Sequence, residues 1–256
     1  MASRSTAIAD RTHPRAWARI AAIAVALILM LPFHLLVRRF TYFSPFSRLF
    51  LRFCAWAAGA DIKITGAPMR RQVLYIANHV SWLDILVLAG RTGCAFVAKA
   101  DMAPWPVIGW LASLNNSVYV QRNSRATTGA QRDAIQAALS TRQAIALFPE
   151  GTTGPGSQLL PFRSALVASV APPPEGIAIQ PVAIDYGPIA PAIAWTEDES
   201  VGVNALRVLS RAGRIPVTLH FLRPLDHADF ADRKAIAAHS RAEIEAALFP
   251  AYGAAR

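Results

Sequence analysis

The sequence predicts an α/β fold, a mostly parallel sheet flanked by helices and preceded by an N-terminal membrane-engaging helical pair. Three observations lead there. From residue 61 onward, short runs rich in β-branched and aromatic residues alternate with helical segments, the pattern of strands joined by covering helices. Upstream, residues 20–37 form an apolar stretch of 18 residues interrupted only by Pro32 and His34. The 256-residue composition lies between a soluble domain and a polytopic membrane protein, with 54% hydrophobic residues, 16% charged residues and a mean hydropathy of +0.31. A globular domain seated on or anchored in a bilayer satisfies all three.

Residues 1–14 are polar, with Arg4, Arg11 and Pro14, and read as a loose tail. Residues 15–60 read as the membrane-engaging pair. A helix over residues 20–37 spans about 27 Å, just short of a hydrocarbon core. Arg15 and Arg19 precede it and Arg38 and Arg39 follow it, so the flanking charges set no orientation, and spanning or dipping both remain open. No clean small-x-small cleavage pattern follows the run. The next segment mixes Arg48 and Arg52 with Phe43, Phe46, Leu49, Phe50, Leu51, Phe53 and Trp56, which suits a helix lying in the membrane interface.

Residues 61–256 read as one α/β domain. Strands are expected at 62–64, 73–77, 95–98, 117–120, 144–148, 177–179 with 182–184, and 217–221. Helices are expected near 81–90, closed by Gly90, and near 107–113, 126–141, 163–170 and 231–248. Pro172-Pro173-Pro174 reads as a turn within the domain.

The net charge of +10, carried mostly by arginine, suits an anionic surface. Basic repeats interleaved with aromatics, zinc patterns and RNA-binding signatures are absent, which argues against nucleic acid and for an anionic membrane surface. Cys54 and Cys94 sit among apolar residues and read as core thiols, with no disulfide framework and no metal site.

The chemistry concentrates in Asn78-His79-Val80-Ser81-Trp82-Leu83-Asp84, where the strand-like Val73–Ala77 gives way to the helix-like Ile85–Ala89. Histidine is the usual general base near neutral pH, and a carboxylate can fix its tautomer. Five residues of regular helix would turn the two side chains about 140° apart. They can therefore meet only if His79 lies in the turn and Asp84 in the first helical turn. Ser81-x-x-Asp84 is equally a capping box, so architecture and chemistry both account for these residues.

The same stretch resembles the first signature of the glycerolipid acyltransferases, the 1-acyl-sn-glycerol-3-phosphate acyltransferase family, and three further blocks follow in the family's order. Lys99-Ala100-Asp101-Met102, Pro106, Gly109 and Val118-Tyr119-Val120-Gln121-Arg122 resemble the second. Phe148-Pro149-Glu150-Gly151-Thr152-Thr153, followed by Pro161-Phe162-Arg163, is similar to the third. Gln180-Pro181-Val182-Ala183-Ile184 resembles the fourth. The resemblance covers residues 62–190.

It implies that His79 and Asp84 are catalytic, with His79 as the general base and Asp84 orienting it. It implies that Glu150, Gly151, Thr152, Arg122, Lys99 and Arg163 bind substrate. The implied reaction moves an acyl group from acyl-CoA or acyl-carrier protein, without a cofactor or metal, to a lysolipid, foremost 1-acyl-sn-glycerol-3-phosphate. The implied location is the cytoplasmic membrane, with the site on the cytoplasmic face. Thr153 departs from the family, which often has arginine there; this admits other head groups, such as lyso-ornithine lipid. A lipid hydrolase would call for a Gly-x-Ser-x-Gly elbow or a His-Glu-x-x-His set, and neither is present. A non-catalytic lipid-binding protein would have no need of the intact His79, Asp84 and Glu150.

Overall fold

The computed structural model describes residues 14–105, 108–120, 128–141, 143–168, 170–171, 173–196, 198–226 and 232–250. Among them, seven strands join in one sheet: β1 (Ala60–Gly66), β2 (Val73–Ala77), β3 (Ala95–Lys99), β4 (Val118–Val120), β5 (Ile145–Leu147), β6 (Ala178–Asp185) and β7 (Ile215–Phe221). Their order is β1-β7-β6-β2-β5-β3-β4. Neighbours are parallel except β6 and β7, which run antiparallel. The sheet is thus mostly parallel, as expected, with β1 and β7 reversed against the other five. β2 and β5 are buried at every position, the condition of interior parallel strands covered on both faces.

β6 unites the two expected runs into one strand that passes through Pro181. Proline lacks an N–H, so its place in an interior strand needs a reason. Pro181 stands opposite Ile76 of β2, one residue before the antiparallel ladder with β7 begins at Val182. Its carbonyl still accepts the Leu222 N–H at 3.0 Å.

The helices are α1 (Pro14–Arg38), α2 (Pro45–Ala57), α3 (Leu83–Thr92), α4 (Ile108–Leu114), α5 (Thr128–Ser140), α6 (Ser164–Val167), α7 (Ala190–Ile193), α8 (Val201–Ser210) and α9 (Arg233–Leu248). The helix expected over 163–170 is the single turn α6, and α7 and α8 are not among the expected elements. Cys54 and Cys94 are buried free thiols, and burial pushes both up to about 12.

Gly90 does not close α3, contrary to the sequence reading. The helix continues to Thr92 and ends at Gly93, whose φ of +76° is the left-handed cap and whose N–H donates to the Ala89 carbonyl at 2.7 Å. Gly90 lies within α3 where α2 crosses it. A Cβ there would sit 2.8 Å from the Arg52 backbone N and Cα, so the glycine permits close approach and does not terminate the helix.

α1 runs unbroken through Pro32 and is long and apolar enough to cross a membrane. Val25, Ile28, Leu29, Phe33 and Leu36 are exposed at spacings of three or four, so they share a face. The opposite side packs on α2, and Ala16, Ala55 and Ala58 share one apolar cluster with Leu83, Leu88 and Ile215. The Arg19 guanidinium donates to the carbonyls of Leu209 (2.9 Å) and Ala58 (3.3 Å), tying α1 to α8 and α2.

In an open helix Gly90→Ala would stabilise by about 1 kcal/mol. Here the added methyl meets backbone, so a net loss of about 1–3 kcal/mol is expected in chemical denaturation of the detergent-purified protein.

Candidate active site

In parallel sheets, polar chemistry collects beyond the carboxyl ends of the strands. β2 lies between β5 and β6, so the segments leaving these three strands converge: Asn78 and His79 from β2, Phe148–Gly151 from β5, and Tyr186 from β6. The buried Asn78 carboxamide fixes the first to the third. Its Oδ1 accepts the Ile184 N–H at 2.8 Å and its Nδ2 donates to the Ile184 carbonyl at 3.0 Å.

Asp84 is fully buried and accepts four hydrogen bonds. His79 Nδ1 lies 2.8 Å from Oδ2, and the N–H groups of Val80 (2.6 Å) and Ser81 (2.9 Å) donate to the same oxygen. The Tyr186 hydroxyl donates to Oδ1 at 2.6 Å. His79 sits in the turn and Asp84 is the second residue of α3, the arrangement the spacing demanded. α3 begins one residue later than a Ser81 cap implies, and the Ser81 hydroxyl accepts the Leu83 N–H at 3.4 Å. The Asp84 carboxylate thus reaches back to the chain before the helix while also holding the imidazole. Capping and histidine orientation, alternatives in the sequence, are combined in one side chain.

An ionised carboxylate only accepts, so Nδ1 carries the proton and Nε2 is the basic nitrogen of His79. The ring stacks on Phe148, with centroids 4.1 Å apart and planes 9° apart, and Phe148 stacks in turn on Phe96 at 5.7 Å.

Glu150 braces the same turn from the other side. Its Oε1 accepts the His79 N–H at 2.8 Å and its Oε2 accepts the Leu160 N–H at 3.0 Å. The residue is 2% exposed, and burial pushes its carboxyl up to about 7 although both main-chain bonds oppose the shift. Gly154 donates its N–H to the His79 carbonyl at 2.7 Å, and a Cβ there would lie 3.0 Å from Glu150 Oε2. The Thr153 hydroxyl donates to the Trp195 carbonyl, and the Trp195 N–H donates to the Val80 carbonyl at 3.0 Å. Trp82, next to the turn, donates its indole N–H to Asn204 of α8 at 3.0 Å.

A cavity of about 370 Å³ opens beside His79, bounded by Glu150, Gly154, Ser157, Asp185, Tyr186, Pro188, Leu248 and Phe249 among others. Its described lining holds two carboxylates, Glu150 and Asp185, and no lysine or arginine. Lys99 ends β3. Arg163 is exposed, and its N–H donates to the Pro149 carbonyl at 2.9 Å as α6 begins. Gly151, at φ +78°, Thr152 and Arg163 do not line this cavity, and Arg122 lies outside the described residues. Sequence reasoning brought His79, Asp84 and Glu150 to this place and missed Tyr186 and Asp185, which lie a hundred residues from the turn and carry no spacing signal.

A family model described as Acyltransferase matches residues 61–185. The lyso-ornithine lipid O-acyltransferase of Rhizobium meliloti is 38% identical over 193 residues, 70% of this chain and 66% of that protein. The lyso-ornithine lipid O-acyltransferase of Pseudomonas aeruginosa is 34% identical over 203 residues, 77% of this chain and 76% of that protein. In fold, the chain is similar to the crystal structure of the 1-acyl-sn-glycerophosphate (LPA) acyltransferase PlsC from Thermotoga maritima. The TM-score is 0.63 at 20% identity, over 95% of this chain and 97% of that one.

The Glu150 carboxyl titrates near 4.5 when unfolded and about 7 when folded, so the native state binds its proton more tightly. The stability this group contributes is complete below about pH 4.5 and lost as pH rises through 7. Glu150→Gln is expected to flatten that slope by up to about 3 kcal/mol, read as unfolding free energies at pH 5 and pH 8.

Proposed function

The chain belongs to the acyltransferase family, and on that premise we propose that it moves a fatty acyl group from acyl-CoA or acyl-carrier protein to the free hydroxyl of lyso-ornithine lipid. The observation that carries the reading is the His79–Asp84 pair. Its Nδ1 is engaged by a buried carboxylate, and His79 is among the residues that line a cavity of about 370 Å³. In this mechanism Nε2 takes the acceptor hydroxyl proton as that oxygen attacks the thioester carbonyl. The C–S bond then breaks, and the leaving thiolate recovers the proton from the imidazolium. Asp84 stabilises the imidazolium as the aspartate of a Ser-His-Asp triad does. The substrate hydroxyl stands in the place of the serine, so no covalent enzyme intermediate forms. A base so placed contributes about 10²- to 10⁴-fold.

Three features favour lyso-ornithine lipid over 1-acyl-sn-glycerol-3-phosphate. Two relatives named for that substrate match over 70% and 77% of the chain. Thr153 stands where a head-group arginine is common, and its hydroxyl is engaged by Trp195. The cavity lining, with the Asp185 carboxylate and no described lysine or arginine, suits the ammonium of an ornithine side chain better than a phosphate monoester. Arg122 is the candidate partner for the ornithine carboxylate, and Gly151, Thr152, Lys99 and Arg163, none of them in the described lining of the cavity, are the candidates for binding the parts of the substrates that lie outside it. The exposed apolar face of α1, with six arginines and no acidic residue in residues 14–60, engages an anionic membrane surface. The active site then faces the cytoplasm, where thioester donors are found.

His79→Ala is expected to lower kcat by 10²-fold or more with vesicle binding unchanged; full transfer by the purified variant overturns the base assignment. Incubated with a labelled acyl donor and a lysolipid panel, the protein is expected to label ornithine lipid, and labelled phosphatidic acid in its place overturns the acceptor. Asp185→Asn is expected to raise KM severalfold for lyso-ornithine lipid.

A further inference from the structure

Tyr186 belongs to none of the four sequence blocks, yet its side chain meets the centre of the site. It is 2% exposed, leaves the end of β6 and lines the cavity beside His79. Its hydroxyl donates to Asp84 Oδ1 at 2.6 Å, on the opposite oxygen from the one that holds the imidazole. The two ends of that carboxylate are unequal. Oδ2 takes three donors, all from residues 79–81 of the turn, and Oδ1 takes the Tyr186 hydroxyl. A partial rotation about the Asp84 Cβ–Cγ bond would carry Oδ2 out of line with Nδ1, and the phenol held on Oδ1 opposes it.

The phenol is itself held. Two residues upstream, Ile184 makes both main-chain bonds with Asn78, so β6 enters the site at a fixed offset from the His79 turn. Burial and the adjacent Asp84 raise the Tyr186 hydroxyl well above its ordinary range, which favours the neutral form that donates. A tyrosine serving only to fill the core would not need its hydroxyl aimed at a buried anion.

We infer that Tyr186 is a positioning residue for the reaction. Its hydroxyl locks the plane of the Asp84 carboxylate in which His79 Nδ1 is held, and shares the negative charge that faces the imidazolium. The inference rests on the reading of His79 as the base.

Tyr186→Phe keeps the ring and deletes one oxygen. The expected result is a kcat lower by roughly 10- to 100-fold, the weight of a hydrogen bond to a charged group. KM for donor and acceptor stays within about twofold, because the deleted hydroxyl is turned to Asp84 and the ring that lines the cavity is kept. The acidic limb of the kcat/KM profile moves to higher pH, since the unshared charge of Asp84 favours the imidazolium. An unchanged kcat overturns the proposal. So does a loss of kcat with the acidic limb in place and the melting temperature lowered, which is the signature of a packing role.

A second measurement tests the route of the effect. In a His79→Ala background, Tyr186→Phe is expected to leave the residual rate unchanged, and a further tenfold loss there overturns the proposal. His79→Ala with full activity refutes the base reading itself. An inactive His79→Ala beside a fully active Tyr186→Phe refutes only the role of Tyr186.

Discussion

A carboxylate is costly to bury, and the site is built around meeting that cost at Asp84, whose ion-pair partner among the described residues is His79. The four donors to Asp84 are two backbone N–H groups, an imidazole and a phenol. Each is supplied by a different structural commitment. The backbone donors require the chain to turn tightly between β2 and α3. The imidazole requires His79 in that turn. The phenol requires β6 to end at the correct height. Shift any of these by a residue and the anion is left unsatisfied, so the reactive geometry and the local fold are not separable. Glu150 repeats the principle at the other side of the turn, with both oxygens on main-chain donors.

The sheet order explains how segments remote in sequence reach this point. β2 lies between β5 and β6, all three parallel, so their carboxyl ends fall on one edge and deliver His79, Glu150 and Tyr186 together. The reversal at β7 sits on the other side of β6 and leaves this edge intact. Pro181 marks the join, at the residue where β6 takes on its antiparallel partner.

Local signals in the sequence account for what could be read from it. The β-branched run Val73–Ala77, the turn at His79 and the apolar residues after Ser81 announce strand, turn and helix within twelve residues, and the spacing to Asp84 restricts how the pair can meet. Glu150 was legible only through its block, and its bond to the His79 N–H was not. Gly90 misled because a glycine at the end of an apolar run signals a helix stop with equal force whether it caps the helix or admits a neighbour. The deciding contact, Arg52 of α2, is 38 residues away. α8 escaped notice because Gly202 and Asn204 interrupt its apolar pattern, although Asn204 is the fully buried residue that receives the Trp82 indole. Tyr186 follows a strand as many tyrosines do, and its partner is 102 residues distant.

The way α1 is held bears on any effort to make the protein soluble. A greasy amino-terminal helix invites removal as a dispensable tether. Here its first turns are part of the body, with Ala16 at 1% exposure in the same cluster as Ile215 and with Arg19 bound to the carbonyls of Ala58 and Leu209. A version starting at Pro45 would strip that cover, leave two carbonyls without their guanidinium and open a greasy flank on α2. Trimming would exchange one insoluble surface for another, whereas polar substitutions at Ile28, Leu29 and Leu36 would spare the interior.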